Sequence, residues 1–267
     1  MRLRPTTATG PQAVVCGEAP VIDNVAMPQL ENSSPVGRLL EEISWEGNAR
    51  PYREGGRGRE NVLTVEAFTP LDYLPRTRFL GQVIRSAHGA EEARRRVAAE
   101  IEQAELSLLP GDVFLESTGV HVQPGATILT PTTYVLLEAK RIRPSSFQEN
   151  QLAREFVAAL QEARGRTPLL LLVLGVPPPV RARGFAEPIE ISTAISARLT
   201  KVAARENLGL TDRELVELIP EVAAWITWSE IRELVVRGRD ELQLTTECAD
   251  TSRRLCDATV TAIDWHS

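Results

Sequence analysis

A glutamate and a lysine stand two residues apart at the end of the most apolar strand-like run in the sequence. Residues 134–140 read Tyr-Val-Leu-Leu-Glu-Ala-Lys, so that Glu138 and Lys140 close the run. Side chains alternate between the two faces of a strand, and these two therefore point to the same side. Upstream, Asp112 follows Pro110-Gly111 at the start of a second strand-like run. Two carboxylates and an ammonium in this pattern can hold a divalent cation and a water beside a phosphodiester.

The chemistry assigned to these three residues follows from what phosphodiester hydrolysis needs. Negative charge must be neutralised in the transition state, water must become a better nucleophile, and the leaving oxygen must be stabilised. We expect Asp112 and Glu138 to be metal ligands, and Lys140 to orient the attacking water. The alternative is that Glu138 and Lys140 are an ion pair at a strand end and Asp112 caps a turn.

The elements that position these residues form an α-β-β-β-α-β order, which predicts an α/β protein with a mixed central sheet flanked by helices. The second helix is expected to open with a capping box, formed either by Ser145 and Gln148 or by Ser146 and Glu149. The predicted elements are a helix over 91–106, strands over 112–117, 126–130 and 134–140, a helix ending before Gly165, and a strand over 169–175.

Asp112 after Pro110-Gly111, the Glu138-Ala139-Lys140 step and a glutamine-bearing helix together resemble the PD-(D/E)XK nuclease superfamily. The resemblance covers about residues 91–175 and implies a restriction-endonuclease-like αβββαβ core. It implies Mg²⁺ (or Mn²⁺) bound through Asp112 and Glu138, with Lys140 beside the water. This chain has Gly-Asp where the family motif has Pro-Asp.

Many members of the superfamily also carry a glutamine near the start of the next helix, which supports the site. Gln148 and Gln151 are both candidates here. The wording of the motif favours Gln151, whereas the helical wheel places Gln148 nearer the packed edge. Some members add an acid from the helix before the first strand. Glu100 and Glu105 would be the residues in that position, with a solvated helix residue as the alternative for each.

Composition and charge narrow the remaining classes of protein. An apolar fraction of 43% and a charged fraction of 25% are ordinary for a soluble protein, and no apolar run approaches the ~18 residues of a membrane span. We therefore expect a cytoplasmic location. Three cysteines and three scattered histidines provide neither a zinc-ligand spacing nor a disulfide framework. The net charge is −6, but residues 134–183 carry eight basic against four acidic residues, which suits a polyanion.

Three regions are predicted along the 267 residues: a Pro- and Gly-rich, partly ordered N-terminal extension (1–60), a nuclease-like domain (61–238), and an acidic helical tail (239–267). The expected function is metal-dependent hydrolysis of DNA, in defence against foreign DNA or in repair. One rival is a catalytically inactive binding or assembly module of the same fold, and another is a nuclease that acts on RNA or within a larger complex. A homodimer, or a partner protein bound through the acidic C-terminal region, is the expected assembly.

Overall fold

The computed structural model describes residues 59–115, 119–204, 206–242 and 246–267, all of which belong to the unit Ser34–Ser267. The extension predicted over 1–60 lies outside the described residues except at its last two positions. The helices are α1 (Glu60–Tyr73), α2 (Leu80–Ser86), α3 (Glu91–Glu100), α4 (Gln151–Ala163), α5 (Ile191–Ala203), α6 (Asp212–Val222), α7 (Trp228–Asp240) and α8 (Thr246–His266), with a 3₁₀ turn at Ile101–Gln103. The strands are β1 (His88–Gly89), β2 (Glu105–Leu108), β3 (Val113–Leu115), β4 (Val120–Val122), β5 (Ala126–Leu129), β6 (Thr133–Ala139), β7 (Thr167–Leu174) and β8 (Ala223–Thr227).

A mixed sheet forms the centre of the described part of the chain, with six strands in the order β1-β8-β7-β6-β5-β2. Strands β6, β7 and β8 run parallel, whereas β2, β5 and β6 form an antiparallel meander. Strands β3 and β4 pair separately as a two-stranded hairpin. The expectation of an α/β protein with a mixed sheet flanked by helices is confirmed.

Two apolar cores lie on the opposite faces of this sheet. Val135 and Leu137 of β6 join the core that also contains residues of α1, α2, α3, α7 and α8. Leu136, one residue out of phase, joins the core that contains residues of α4, α5 and α6. Because a strand alternates its faces, Glu138 shares the face of Leu136 and points toward the α4 side. Strand β6 is thus covered on both faces, which accounts for its nearly continuous apolar run.

Several predicted boundaries differ from the structure. The helix expected over 91–106 ends at Glu100, and the residues after the 3₁₀ turn form β2 instead. The strand expected over 112–117 is confined, among its described residues, to β3 in the small hairpin. The capping boxes at Ser145 and Ser146 are wrong, because α4 begins at Gln151, after Asn150 in a left-handed conformation (φ 65°). A turn in which Gln151 N donates to Gln148 O at 3.1 Å stands there in place of the expected side-chain cap.

Candidate active site at the end of strand β6

Glu138 lies near the carboxyl end of β6, between two neighbouring strands and against α4. Its side chain is 12% exposed. Its Oε1 atom lies 3.3 Å from Lys140 Nζ and accepts a hydrogen bond of 3.0 Å from Gln151 Nε2. The structure therefore brings three of the predicted site residues into direct contact.

Lys140 is fixed by its backbone as well as by its side chain. Its N–H donates to Val173 O of the neighbouring strand at 2.7 Å, and its carbonyl oxygen accepts from Trp228 Nε1 at 2.7 Å. The side chain is 9% exposed, and Nζ lies 3.3 Å from Glu60 Oε2 as well as 3.3 Å from Glu138 Oε1. The ammonium is therefore held between two carboxylates that come from distant parts of the sequence.

Gln151 is the glutamine that reaches Glu138. It is the first residue of α4, and its Oε1 accepts a hydrogen bond of 3.1 Å from the backbone N–H of Gln148. That bond orients the side-chain amide so that Nε2 faces Glu138. The Gln148 side chain is exposed, so Gln148 contributes its backbone to the arrangement.

Glu60 and Glu155 belong to the same cluster, although sequence reasoning did not assign them to it. Glu60 is the first residue of α1, on the opposite side of the sheet from α4, and it reaches Lys140 at the strand end. Glu155 is 3% exposed, and its Oε2 atom has no hydrogen-bond partner in the described part of the chain. A signal for Glu155 exists in the sequence, because it interrupts the apolar face formed by Leu152 and Phe156. No comparable signal marks Glu60.

Burial and like charge dominate the electrostatics of this cluster. Burial raises the pKa of Glu138 to about 7; Lys140 opposes this effect and Glu60 adds to it. Burial, followed by the charge of Glu138, raises the pKa of Glu155 well above its ordinary value. Burial favours neutral Lys140, but Glu138, Glu155 and Glu60 outweigh it and raise the pKa of the ammonium. Three acids around one lysine leave an excess of negative charge that a proton or a cation can neutralise.

Asp112 lies apart from these contacts. It immediately precedes β3, is 45% exposed, and places Oδ2 at 3.8 Å from His121 Nδ1 on the facing strand. Within the described residues, no hydrogen bond or ion pair connects Asp112 with Glu138 or Lys140. The role of Asp112 as a metal ligand stays a prediction.

The donor chemistry of the cluster suits a hard divalent cation, although no ready-made cage is present. No three His, Cys, Asp or Glu side chains in the described ranges are grouped so that they could hold a metal ion. Mg²⁺ usually retains several waters and uses only one or two carboxylates together with substrate phosphate, so it does not require such a cage. Glu138 and the unpartnered oxygen of Glu155 are carboxylate groups of the kind that Mg²⁺ binds. These residues offer oxygen ligands of the kind that Mg²⁺ or Mn²⁺ takes, and the metal itself stays a prediction.

Glu100 and Glu105, the acids considered from the preceding helix, lie elsewhere. Glu100 accepts hydrogen bonds from Thr130 Oγ1 (2.6 Å) and from Thr132 N (3.1 Å) and Oγ1 (2.8 Å). These bonds lower the pKa of Glu100 and fix the turn between β5 and β6. Glu105 is exposed on β2. Among the residues described, neither contacts Glu138 or Lys140.

No family model, curated protein or solved structure matches this chain. Among the helices in the described residues, none has the length and apolar character needed to cross a membrane.

Proposed function

We propose that the chain is a metal-dependent nuclease that hydrolyses DNA phosphodiester bonds, with a restriction-endonuclease-like core of the PD-(D/E)XK type. The element order supports the proposal: α3, β2, β5, β6, α4 and β7 follow one another as α-β-β-β-α-β once the β3–β4 hairpin is treated as an insertion. The Glu-x-Lys step falls at the end of the third of these strands.

The observation that carries the proposal is the contact of Glu138 with both Lys140 and Gln151. The Glu138 carboxylate lies 3.3 Å from the Lys140 ammonium and 3.0 Å from the Gln151 amide. Burying such charged groups costs free energy unless they are fully paired, and a catalytic role is one reason for a protein to bury them. Unpartnered polar atoms persist here, since Glu155 Oε2 is buried without a hydrogen bond from any described residue. Acids whose pKa is strongly raised by burial and a neighbouring charge, such as Glu138 and Glu155, cluster at functional sites.

Each side chain has a role in the proposed reaction. Mg²⁺ or Mn²⁺, when bound through Glu138 and the predicted ligand Asp112, would supply Lewis-acid polarisation of the scissile phosphate. Gln151 orients the Glu138 carboxylate. Lys140 places a positive charge beside the positions of the attacking water and of a phosphate oxygen, and so stabilises negative charge as it develops on the phosphate. Glu60 holds the Lys140 ammonium in that position.

The test is incubation of purified protein with plasmid and linear DNA in Mg²⁺, Mn²⁺ or EDTA. Lys140→Ala should lower the cutting rate by ~10²–10³-fold, because it removes a preorganised charge from the site. Lys201→Ala is the matched control, since Lys201 is the other lysine in the sequence and is exposed on α5. Thermal unfolding of both variants shows that the comparison is between folded proteins. Metal-dependent cutting that Lys140→Ala leaves unchanged would refute the proposal.

A non-catalytic module of the same fold is the second candidate. Two observations favour it: Lys140 is already neutralised by Glu60 and Glu138, and Asp112 makes no contact with them among the described residues. The two candidates differ in metal binding. A nuclease should bind Mn²⁺ in titration calorimetry and lose affinity on Asp112→Ala, whereas the inactive module should show neither effect.

A further inference from the structure

The loop after β7 is fastened beside the candidate site by hydrogen bonds along its backbone. Phe147 N donates to Arg181 O at 2.9 Å, and Arg183 N donates to Phe147 O at 2.9 Å. On the other side, Val180 and Ile189 exchange both of their backbone hydrogen bonds at 2.9 and 2.8 Å. Residues 180–183, called the strip here, are therefore held at Val180 on one side and at Arg181 and Arg183 on the other, and Arg183 opens a turn in which Phe185 N donates to Ala182 O at 3.3 Å.

This strip has one apolar face and one cationic face. Val180 is buried and Ala182 packs against the α4-side core, whereas Arg181 and Arg183 are exposed. The two arginines flank Ala182, which forms the isolated bridge with Phe147. The backbone bonds to Phe147 thus hold the main chain of two exposed, positively charged residues.

Phe147 also connects the strip to the candidate site. Its ring is 3% exposed, and Lys140 Nζ lies 5.1 Å from the ring centroid. The same residue therefore contacts the lysine of the site and the backbone of both arginines.

The charges of Arg181 and Arg183 are not neutralised by any described carboxylate, although Glu187 and Glu190 lie in the same loop. Several other arginines of the described chain are instead paired with carboxylates. Arg95 pairs with Glu91 and Glu92 at 2.6 Å each, and Arg213 pairs with Glu217 at 2.8 Å. A pair of fixed, exposed and unneutralised arginines beside the site suits a polyanion.

We propose that Arg181 and Arg183 bind the phosphate backbone of duplex DNA and position it over the Glu138–Lys140 site, an inference that rests on the proposed nuclease function. Each arginine neutralises one phosphate and releases condensed counterions, so the contact carries affinity without sequence preference.

The test is fluorescence anisotropy of a labelled DNA duplex with the full chain in EDTA, at salt concentrations from about 0.05 to about 0.3 M. Each phosphate contact contributes about 0.9 to the slope of log affinity against log salt. Arg181→Ala/Arg183→Ala should therefore flatten the slope by about 1.8 and weaken binding about 60-fold at 0.1 M salt, if affinity extrapolated to 1 M is unchanged. Arg181→Lys/Arg183→Lys, which keeps the charges, should restore most of the affinity.

Arg95→Ala/Arg213→Ala is the matched control, because it makes the same change in net charge with arginines that are already paired. Duplex binding that is absent in the unmodified protein, or that falls equally in both double variants, overturns the inference, as does tighter binding of an RNA duplex than of DNA. EDTA separates this inference from the proposed function. If the protein never cuts DNA but Arg181→Ala/Arg183→Ala weakens duplex binding, the nuclease proposal fails and the DNA-binding role of the two arginines stands. If the protein cuts DNA and Arg181→Ala/Arg183→Ala binds the duplex as tightly as the unmodified protein, the nuclease proposal stands and the role of the arginines fails.

Discussion

The buried Glu138 should make the stability of the protein decrease as the pH rises through neutrality. Its pKa in the folded state is about 7, against an ordinary value of 4.5, and burial is the largest cause. An acid with a raised pKa keeps its proton longer in the folded than in the unfolded chain. The stabilisation from that proton is fully present below pH 4.5 and is lost as the pH rises through about 7.

The magnitude follows from the difference between these two values. At about 1.4 kcal/mol per pKa unit, the free energy of unfolding should fall by about 3 kcal/mol between pH 4.5 and pH 8 through this group. Glu155, whose pKa is also raised, acts in the same direction. The acids with lowered pKa values, such as Glu100, have their effect at more acidic pH and do not mask the decrease.

The assay is urea unfolding at half-unit pH intervals, with wild type and Glu138→Gln measured side by side. The amide that replaces the carboxyl is neutral at every pH, so the stability of the wild type relative to the variant should fall by about 3 kcal/mol as the pH rises. Glu217→Gln serves as the control, since Glu217 is exposed and paired on the surface of α6. A raised pKa for this carboxyl would be refuted if the free energy of unfolding of the wild type relative to Glu138→Gln stayed constant from pH 4.5 to pH 8. It would also be refuted if the wild type became more stable relative to the variant as the pH rose.

Two further predictions concern the residues that frame the site. Gln151→Ala should reduce DNA cutting by about 10–100-fold, because it removes the amide that orients Glu138, the proposed metal ligand, whereas Gln148→Ala should leave the rate nearly unchanged. Equal rates for these two variants would contradict this assignment. Gly175→Ala should lower the midpoint of thermal unfolding, because an added methyl would overlap the backbone carbonyl oxygen of Ile142, in the segment after β6. A cost of about 1–3 kcal/mol is expected for such overpacking, and an unchanged midpoint would contradict it.

The parts of the fold that sequence could predict are those determined by local pattern. The apolar run before Glu138 identifies β6, and the Thr-x-x-Glu pattern of Thr211 and Glu214 identifies the capping box that opens α6. The start of α4 was wrong by several residues, because the left-handed Asn150 begins the helix without a cap that a residue pattern can reveal.

The parts of the site that sequence could not predict depend on long-range packing. Glu138, Lys140 and Gln151 lie close together in the chain, and their meeting follows from strand alternation and the β6–α4 connection. Glu60 meets Lys140 only because α1 crosses the opposite face of the sheet. Asp112 was expected in the main sheet, but its run entered a separate hairpin, and nothing in the residue pattern specifies which strands will pair.

The C-terminal helix α8 braces the helix that carries Glu60. Thr259 Oγ1 donates to Ala67 O of α1 at 3.4 Å, and His266 Nε2 lies 3.0 Å from Glu66 Oε2. Helix α8 is thereby connected to Lys140 through α1. A ligand, a modification or a fused sequence that separates α8 from α1 would weaken the contact of Glu60 with the Lys140 ammonium without contacting the sheet.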